Sequence, residues 1–291
     1  MTAGAVCGIL LVSACGSDPE EEVEPPGAGP ERDGVAAAQA LAPEPAGDQH
    51  SHDQMRTALD STIEGAEITD TDDWWDSLRD LQRELQKLRV SPTDCKPFVT
   101  ASALPVPAGA LIATADHAPR QTAIYSFEGE EEAHSYVNQE LDGTEECEEH
   151  TVTRELDDGD VAAQTTLTDV EITSGAEDAL ALSSVLESED ETQWGLSVML
   201  RYESSVVRAA QDLEEPLSEG EAEALAGELE AEAAAVLSEV TGEDIVVPDP
   251  EPEDDDDEDG GEDAGEGDDD VAEDGQDPDE DGQDDADADE S

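Results

Sequence analysis

Five histidines and four cysteines are the residues of this 291-residue chain best suited to hold a metal ion or to carry catalysis. His50, His52 and Asp53 are spaced closely enough to bind a transition metal, but we expect them in a segment without the surrounding side chains that hold a coordination shell. The sequence contains no HExxH, GxSxG or glycine-rich phosphate loop, and the pair Glu130 and His134 is a weak signal. Solvated linker histidines are the simpler interpretation. We therefore predict no enzyme, no metal site and no cofactor.

The acidic C-terminal region contains one segment that begins like a calcium-binding loop. Asp277, Asp279, Asp281 and Gly282 follow the D-x-D-x-D-G pattern, in which alternate carboxylates converge on the ion. The twelfth position of that loop is Ala288, where a bidentate Glu is needed, and no helix pattern flanks the segment. We expect only loose cation binding by this region.

The most specific signal lies near the N-terminus. Residues 1–14 are uncharged, small and apolar, and they are too few to span a bilayer. The run Val12-Ser13-Ala14-Cys15 resembles the lipobox of bacterial lipoproteins. This resemblance implies removal of residues 1–14 as a signal peptide, acylation of Cys15 and attachment to the extracellular face of the cell membrane. One departure from the family pattern is that no Lys or Arg precedes the apolar run, and the alternative is an ordinary small-residue N-terminus.

The remaining cysteines support export. If Cys7 leaves with the signal peptide and Cys15 is acylated, only Cys95 and Cys147 remain in the mature chain. Two cysteines in an exported domain most simply form one disulfide. Closing a loop of about 50 residues would stabilise the fold by roughly 4 kcal/mol in the chain-entropy model. A pair of metal ligands is the competing interpretation, although no CxxC spacing occurs.

The formal net charge of −71 excludes nucleic acid as a partner, because phosphate backbones repel an acidic surface. An anionic membrane surface repels the chain for the same reason, so the predicted membrane contact depends on the lipid at Cys15. The acidic body contains only two lysines, Lys87 and Lys96. This composition is typical of proteins that work in high salt.

All the aromatic residues lie between positions 74 and 202, so a hydrophobic core is expected only in the middle of the chain. We predict a Pro-, Ala- and Glu-rich disordered tether over residues 15–53, one folded domain over residues 54–247 and a disordered acidic tail over residues 248–291. The tether would hold the domain away from the membrane.

The periodicity predicts an α+β domain with helices packed on one face of an antiparallel sheet. Trp74, Leu78, Leu81, Leu85 and Leu88 form the apolar stripe of one amphipathic helix, with Asp70 to Asp73 at its N-terminus. Another helix is expected to start at residues 91–94. Further helices are predicted over residues 129–141 and from a capping box at residues 218–221 up to residue 240. Strands are predicted over residues 110–115, 122–127, 150–156, 161–172, 180–187 and 193–208.

This arrangement resembles a group of actinobacterial surface lipoproteins and the extracellular sensor domains of some actinobacterial serine/threonine kinases. The resemblance rests on residues 91–95 after a helix, on the helix leading to Cys147, and on a long strand followed by an Ala- and Leu-rich helix. It implies a non-catalytic domain that binds a small ligand or senses one. An envelope protein that binds a cell-wall component without a small ligand, or an extracytoplasmic enzyme, is the alternative.

Replacing the acyl acceptor tests the lipoprotein interpretation. We expect Cys15→Ala to move the protein from the membrane fraction to the soluble fraction, because it removes the thiol that accepts the lipid. Cys7→Ala is the matched control, and fractionation with immunoblotting is the measurement. Unchanged membrane retention of Cys15→Ala would contradict the interpretation.

Salt should stabilise the domain, because its carboxylates repel one another and screening shortens that repulsion. The Debye length falls from about 10 Å at 0.1 M to about 3 Å at 1 M ionic strength. We expect the midpoint of thermal unfolding to rise with NaCl up to molar concentrations. Deletion from Asp249 onward should leave most of the rise, and a midpoint that does not depend on salt would refute the high-salt interpretation.

Overall fold

The computed structural model describes residues 43–156 and 159–248, apart from the side chain of Asp76. The predicted signal peptide, Cys15, most of the predicted tether, and the calcium-like segment of the tail lie outside these residues. The elements in chain order are α1 (His52–Thr62), β1 (Glu67–Asp70), α2 (Thr71–Lys87), β2 (Arg89–Ser91), a short 3-10 helix (Thr93–Cys95), α3 (Lys96–Ser102), β3 (Leu111–His117), β4 (Arg120–Ser126), α4 (Glu130–Glu146), β5 (Glu149–Leu156), β6 (Gly159–Asp169), β7 (Asp178–Ser188), β8 (Thr192–Tyr202), β9 (Ser205–Leu213) and α5 (Glu219–Thr241). None of the helices described is both long enough and apolar enough to cross a membrane.

The nine strands form one antiparallel sheet in the order β1-β3-β4-β9-β8-β7-β6-β5-β2. Its two edge strands, β1 and β2, stand immediately before and after helix α2 in the sequence. A flat sheet of nine strands would be about 38 Å wide, whereas the 17 residues of α2 extend about 25 Å. The sheet is therefore curved, and α2 crosses its concave face.

Helices cover both faces of this sheet. On the convex face, α1 and α5 pack against the central strands through side chains such as Leu59 and Leu229. On the concave face, α4 packs Val137 against the side of β3 that carries Ile112. The α+β class and the antiparallel sheet are confirmed, but the helices do not lie on one face only. The reason is that strands in the middle of the sheet are apolar at successive positions, as at Val206 and Val207 of β9. Because successive side chains point to opposite faces, both faces are apolar and both are covered by helices.

Capping residues set the start of α2, as the sequence predicts. The Asp70 carboxylate accepts a hydrogen bond from the backbone N–H of Asp72 at 2.9 Å, and Asp73 caps the backbone N–H of Asp70 in return. Arg56 of α1 donates from Nε to Asp70 Oδ2 at 2.6 Å. Burial opposes ionisation of Asp70, but the hydrogen bonds from Arg56 and Asp72 outweigh it and lower its pKa. The ion pair thus fastens α1 to the first turn of α2. The capping box predicted at Ser218 and Glu221 is also present, at the start of α5.

The folded part begins earlier than Asp53. The backbone N–H of Asp48 donates to the carbonyl of Glu128 at 2.9 Å, and the His50 N–H donates to Ser126 Oγ at 2.7 Å. His52 then begins α1, a helix that the sequence analysis did not predict because its surroundings are rich in polar residues. The last part of the predicted tether therefore belongs to the domain.

The long strand predicted over residues 193–208 is a hairpin of two strands, β8 and β9. The chain reverses after Tyr202, where Glu203 takes a positive φ of 49°. The turn contains neither Gly nor Pro, so the sequence carries no conventional turn signal there.

The predicted disulfide between Cys95 and Cys147 is present, with the two Cα atoms 5.6 Å apart. It joins the chain at the start of α3 to the C-terminal end of α4. Next to it, Phe98 of α3 lies so close to Gly143 that a Cβ atom there would approach the Phe98 ring to 2.1 Å. The bond and this close approach hold α3 against α4.

Glu230 interrupts the apolar buried face of α5. The residue is 3% exposed, and its Oε1 has no hydrogen-bond partner among the described residues. Burial disfavours the ionised carboxylate and raises its pKa, and a hydrogen bond with Ser174 offsets part of this rise. The folded state therefore binds the proton of Glu230 more tightly than the unfolded state does. The stability that this tighter proton binding contributes is fully present at low pH and is lost as the pH rises through the folded-state pKa.

Glu230→Gln should therefore raise the midpoint of thermal unfolding at about pH 7, by an amount equivalent to about 1 kcal/mol. The gain should shrink towards about pH 4, where the carboxyl of the parent chain is protonated as well. Glu223→Gln, at an exposed position of the same helix, is the matched control for the loss of one charge. A midpoint below that of the parent at neutral pH would contradict this account.

Candidate functional site

A cavity of about 410 Å³ lies between helix α2 and the concave face of the sheet. We call it the α2 cavity. Its walls come from α2, the C-terminal end of α3, one residue of α4, and strands β3, β4, β9 and β5, and they are mainly apolar. The lining residues are Trp74, Ser77, Asp80, Leu81, Glu84, Leu85, Leu88, Ser102, Ala103, Leu104, Pro105, Ile112, Thr114, Gln121, Ala123, Tyr125, Tyr136, Val152, Arg154, Arg208 and Ala210. Strands β3, β4 and β9 lie towards one edge of the sheet and β5 lies next to the opposite edge, yet all four line the same cavity. This follows from the curvature that α2 imposes.

The apolar stripe of α2 is buried unevenly. Leu85 and Leu88, near its C-terminal end, are buried in a cluster that also contains Val152 and the disulfide. Trp74 and Leu81, earlier in the helix, are only half-buried and line the cavity. The helix is thus held at its N-terminal end by Asp70 and at its C-terminal end by Leu85 and Leu88. Its middle covers the cavity.

Small side chains on the floor of the cavity create that space. Ala123 of β4 lies between Thr114 of β3 and Arg208 of β9 in the register of the sheet, and Ala210 pairs with Gln121. Ala123 and Ala210 are both buried, yet a methyl group projects only a short distance from the strand. Larger side chains at these positions would reach α2 and fill the cavity.

Trp74, which lines this cavity, contains a hydrogen-bond donor that is buried and unsatisfied. Its indole Nε1 is shielded from solvent and has no partner among the described residues. Buried indole N–H groups usually find an acceptor, and leaving one unsatisfied costs about 1–3 kcal/mol.

Charges are distributed unequally around the cavity. Asp80 and Glu84, on α2, have side chains that are 76% and 47% exposed. The cations come instead from the sheet. Arg154 of β5 lies 4.0 Å from Glu84, and Arg208 of β9 donates to Ser197 Oγ at 3.5 Å.

Glu140 of α4 lies within the electrostatic reach of Arg208. Ser102 donates its hydroxyl to the Glu140 carboxylate, with distances of 2.9 and 3.1 Å to the two oxygens. Burial raises the pKa of Glu140, although Arg208 and Ser102 act in the opposite direction. A second, more polar cavity of about 500 Å³ borders Glu140 and shares Leu104 and Tyr136 with the first.

Three hydroxyl groups of the lining have hydrogen-bond partners within the domain. Ser77 donates to the carbonyl of Trp74, Ser102 to Glu140, and the hydroxyl of Thr114 pairs with that of Thr69 at 2.6 Å. No described histidine lines the cavity.

The predicted linker histidines belong to the fold. Burial lowers the pKa of His50, against the influence of Glu203. Potential ligand atoms of His52, Asp70 and Asp72 lie within 4.8 Å of one another. However, both Asp70 oxygens already accept hydrogen bonds, from the Arg56 guanidinium and from the start of α2. A cation would have to compete with that guanidinium, so this group is a structural ion pair.

The other histidines also have structural partners. His150 Nδ1 lies 3.0 Å from the carbonyl oxygen of Cys147, beside the disulfide. His134 Nδ1 lies 2.9 Å from Asp178 Oδ2 on the surface, and His117 lies 3.5 Å from Glu232 on α5. Glu130, the other half of the weak pair in the sequence, is an exposed residue in the first turn of α4.

Comparisons with known proteins assign no family to this chain. No protein-family model matches the sequence, and no curated protein matches it. Among solved structures, the extracellular domain of PknH from Mycobacterium tuberculosis matches with 20% identity over 54% of this chain and 78% of that one, at a TM-score of 0.37. A putative uncharacterized protein (Rv0999 ortholog) from Mycobacterium smegmatis matches with 14% identity over 63% and 95% of the two chains, at a TM-score of 0.34. These values are too low to assign a function.

Most residues of the α2 cavity carry no signal in the sequence. Ala123 and Ala210 look like ordinary core residues of strands, and Arg208 looks like the polar residue of an alternating strand. The stripe from Trp74 to Leu88 is the one visible signal, because it predicts a helix with its apolar side towards the sheet. Whether that side is filled depends on side chains from four strands at once.

Proposed function

We propose that this chain is an exported, lipid-anchored surface protein whose domain binds an apolar small molecule in the α2 cavity without catalysis. The observation that carries the proposal is the cavity itself, an apolar space of about 410 Å³ between a helix and a curved sheet. Ligand sites in proteins commonly enclose about 300–1,000 Å³ and combine apolar walls with a few polar groups. The α2 cavity has this size and this composition.

The packing around the cavity supports a binding role. Natural protein interiors are close-packed, and side chains that border an empty apolar space lose contact energy. The two ends of α2 are well held, so the missing contacts are confined to its middle. A ligand beneath Trp74 and Leu81 would restore them. A protein that acts only through flat outer surfaces has no need of this space.

Export is supported by the disulfide. Disulfides persist in oxidising compartments and are rare in the cytosol, and the bond between Cys95 and Cys147 holds α3 on α4 beside the cavity. Together with the lipobox-like run ending at Cys15, this favours a position at the extracellular face of the cell membrane. A tether over the part of residues 15–53 that precedes the domain, and loose cation binding by the acidic tail, are also part of the proposal.

A neutral, apolar dye tests the binding role directly. N-phenyl-1-naphthylamine fluoresces more strongly in apolar surroundings, and we expect a saturable increase in its fluorescence on addition of the protein. Ala123→Phe should abolish the increase, because the new ring occupies the cavity above the floor of the sheet. Its midpoint of thermal unfolding should be equal to that of the parent or higher, since the ring fills unoccupied space.

Ala162→Phe provides the matched control, since Ala162 of β6 is exposed and does not line the cavity. It should bind the dye as the parent does. Saturable dye binding that survives Ala123→Phe would show that the dye lies elsewhere, and absence of saturable binding by the parent would refute the proposed function.

A further inference from the structure

The ionisable side chains that line the α2 cavity already have partners within the domain. The carboxylates Asp80 and Glu84 form ion pairs with basic residues one turn further along α2. The Gln121 amide donates to Asp116 at 2.5 Å. The two arginines of the lining and both of its tyrosines also interact within the domain: Arg154, Arg208, Tyr125 and Tyr136. An ionised group on a ligand would therefore have to compete with a partner that is already in place.

The remaining polar groups of the lining are also closed to a ligand. The hydroxyls of Ser77, Ser102 and Thr114 are hydrogen-bonded within the domain. The indole N–H of Trp74 has no partner among the described residues, but protein atoms shield it, so a molecule in the cavity does not contact it. The surface that the cavity offers comes mainly from leucine, alanine and aromatic side chains.

We propose that the ligand of the α2 cavity is an uncharged, hydrocarbon-rich molecule of about 16 carbon atoms, without an ionised head group. This inference rests on the proposed function and names the chemical class of the ligand. The size follows from the volume, because an engineered apolar cavity of about 150 Å³ binds benzene. The α2 cavity encloses about 410 Å³.

Desolvation explains the selection against charge. Moving an ionised carboxylate or ammonium group from water into apolar surroundings is very unfavourable unless a counter-charge and hydrogen bonds replace the water. The cations of the lining act on carboxylates of the domain, since Arg154 lies 4.0 Å from Glu84 and Arg208 lies within the electrostatic reach of Glu140. Their aliphatic stems still add apolar surface. A hydrocarbon gains from burial of its own surface without this cost.

The floor of the cavity sets the size of the ligand. Ala123 and Ala210 are buried, and both line the cavity from neighbouring strands. A larger side chain at position 210 would occupy part of the space and leave room only for a smaller molecule. The same floor would then bind a compact hydrocarbon but exclude an extended one.

Two dyes with the same ring skeleton test the exclusion of charge. N-phenyl-1-naphthylamine is uncharged, and 8-anilino-1-naphthalenesulfonate adds one sulfonate group to that skeleton. We expect the full chain to bind the uncharged dye about tenfold more tightly or better, because the sulfonate would be buried without a counter-charge. Fluorescence titrations at about 1 M NaCl, where the Debye length is about 3 Å, remove the general repulsion between the anion and the acidic surface.

Three adamantane derivatives extend the test to a cation. 1-Adamantanol is uncharged, whereas 1-adamantanecarboxylate and 1-adamantanamine are an anion and a cation at about pH 7.5. In isothermal titration calorimetry at the same salt concentration, we expect the alcohol to bind about tenfold more tightly than either ion. Weaker binding of the cation is the decisive result, because the negative charge of the protein by itself favours a cation.

Ala210→Leu tests the size limit. It should weaken the binding of N-phenyl-1-naphthylamine by about tenfold, because the added atoms overpack the occupied cavity. The smaller adamantanol should still bind. Ala162→Leu, at an exposed position of β6 outside the lining, is the matched control and should bind both molecules as the parent does. If Ala210→Leu does not fold, Ala210→Val decides, with a smaller change in the same direction.

The outcomes distinguish this inference from the proposed function. Equal or tighter binding of the sulfonate dye, or of either adamantane ion, at the site that Ala123→Phe closes would overturn the inference and leave the binding role standing. Undiminished binding of N-phenyl-1-naphthylamine by Ala210→Leu would overturn the size limit. Absence of saturable binding of that dye by the parent would refute the proposed function itself.

Discussion

Helix α2 connects the two edge strands of the sheet, and most features of the domain depend on this connection. Asp70 ends β1 and caps α2, and a single residue, Leu88, separates α2 from β2. A helix of about 25 Å cannot join the edges of a flat nine-stranded sheet. The sheet has to curve, and its concave face then lies under the helix. Both edges are thereby tied to one element, which also limits the exposed backbone that β1 and β2 would offer to another chain.

The curvature separates two kinds of packing. On the convex face, α5 lies over the central strands and its small and branched side chains form a closed core with α1. On the concave face, α2 spans the sheet and touches it mainly near its ends. Fixing a helix at both ends while leaving small residues beneath its middle produces a cavity without a gap in the hydrogen-bonded structure. The disulfide lies in the cluster that buries Leu85 and Leu88, so it strengthens one end of this roof.

Acidic and basic side chains occupy different places in the domain. Carboxylates dominate the surface, where water and salt screen them. The few cations have specific positions. Arg56 holds the cap of α2, Arg201 is buried beside Asp178 and Glu177, and Arg208 lies on the floor of the cavity.

The sequence by itself determined the class of the fold, the helices at residues 71–87 and 219–241 with their caps, the strand-rich centre and the cysteine pair. These features depend on local periodicity, capping chemistry and residue count, which are visible in one dimension. The sequence did not reveal α1, the turn at Glu203 or the second helical face, because each depends on contacts with distant strands. Only the tertiary structure decided that Ala123, Ala210, Trp74 and Arg208 surround one space. A cavity is the difference between the space that several elements enclose and the volume of the side chains they place there, and no single segment of the chain contains that information.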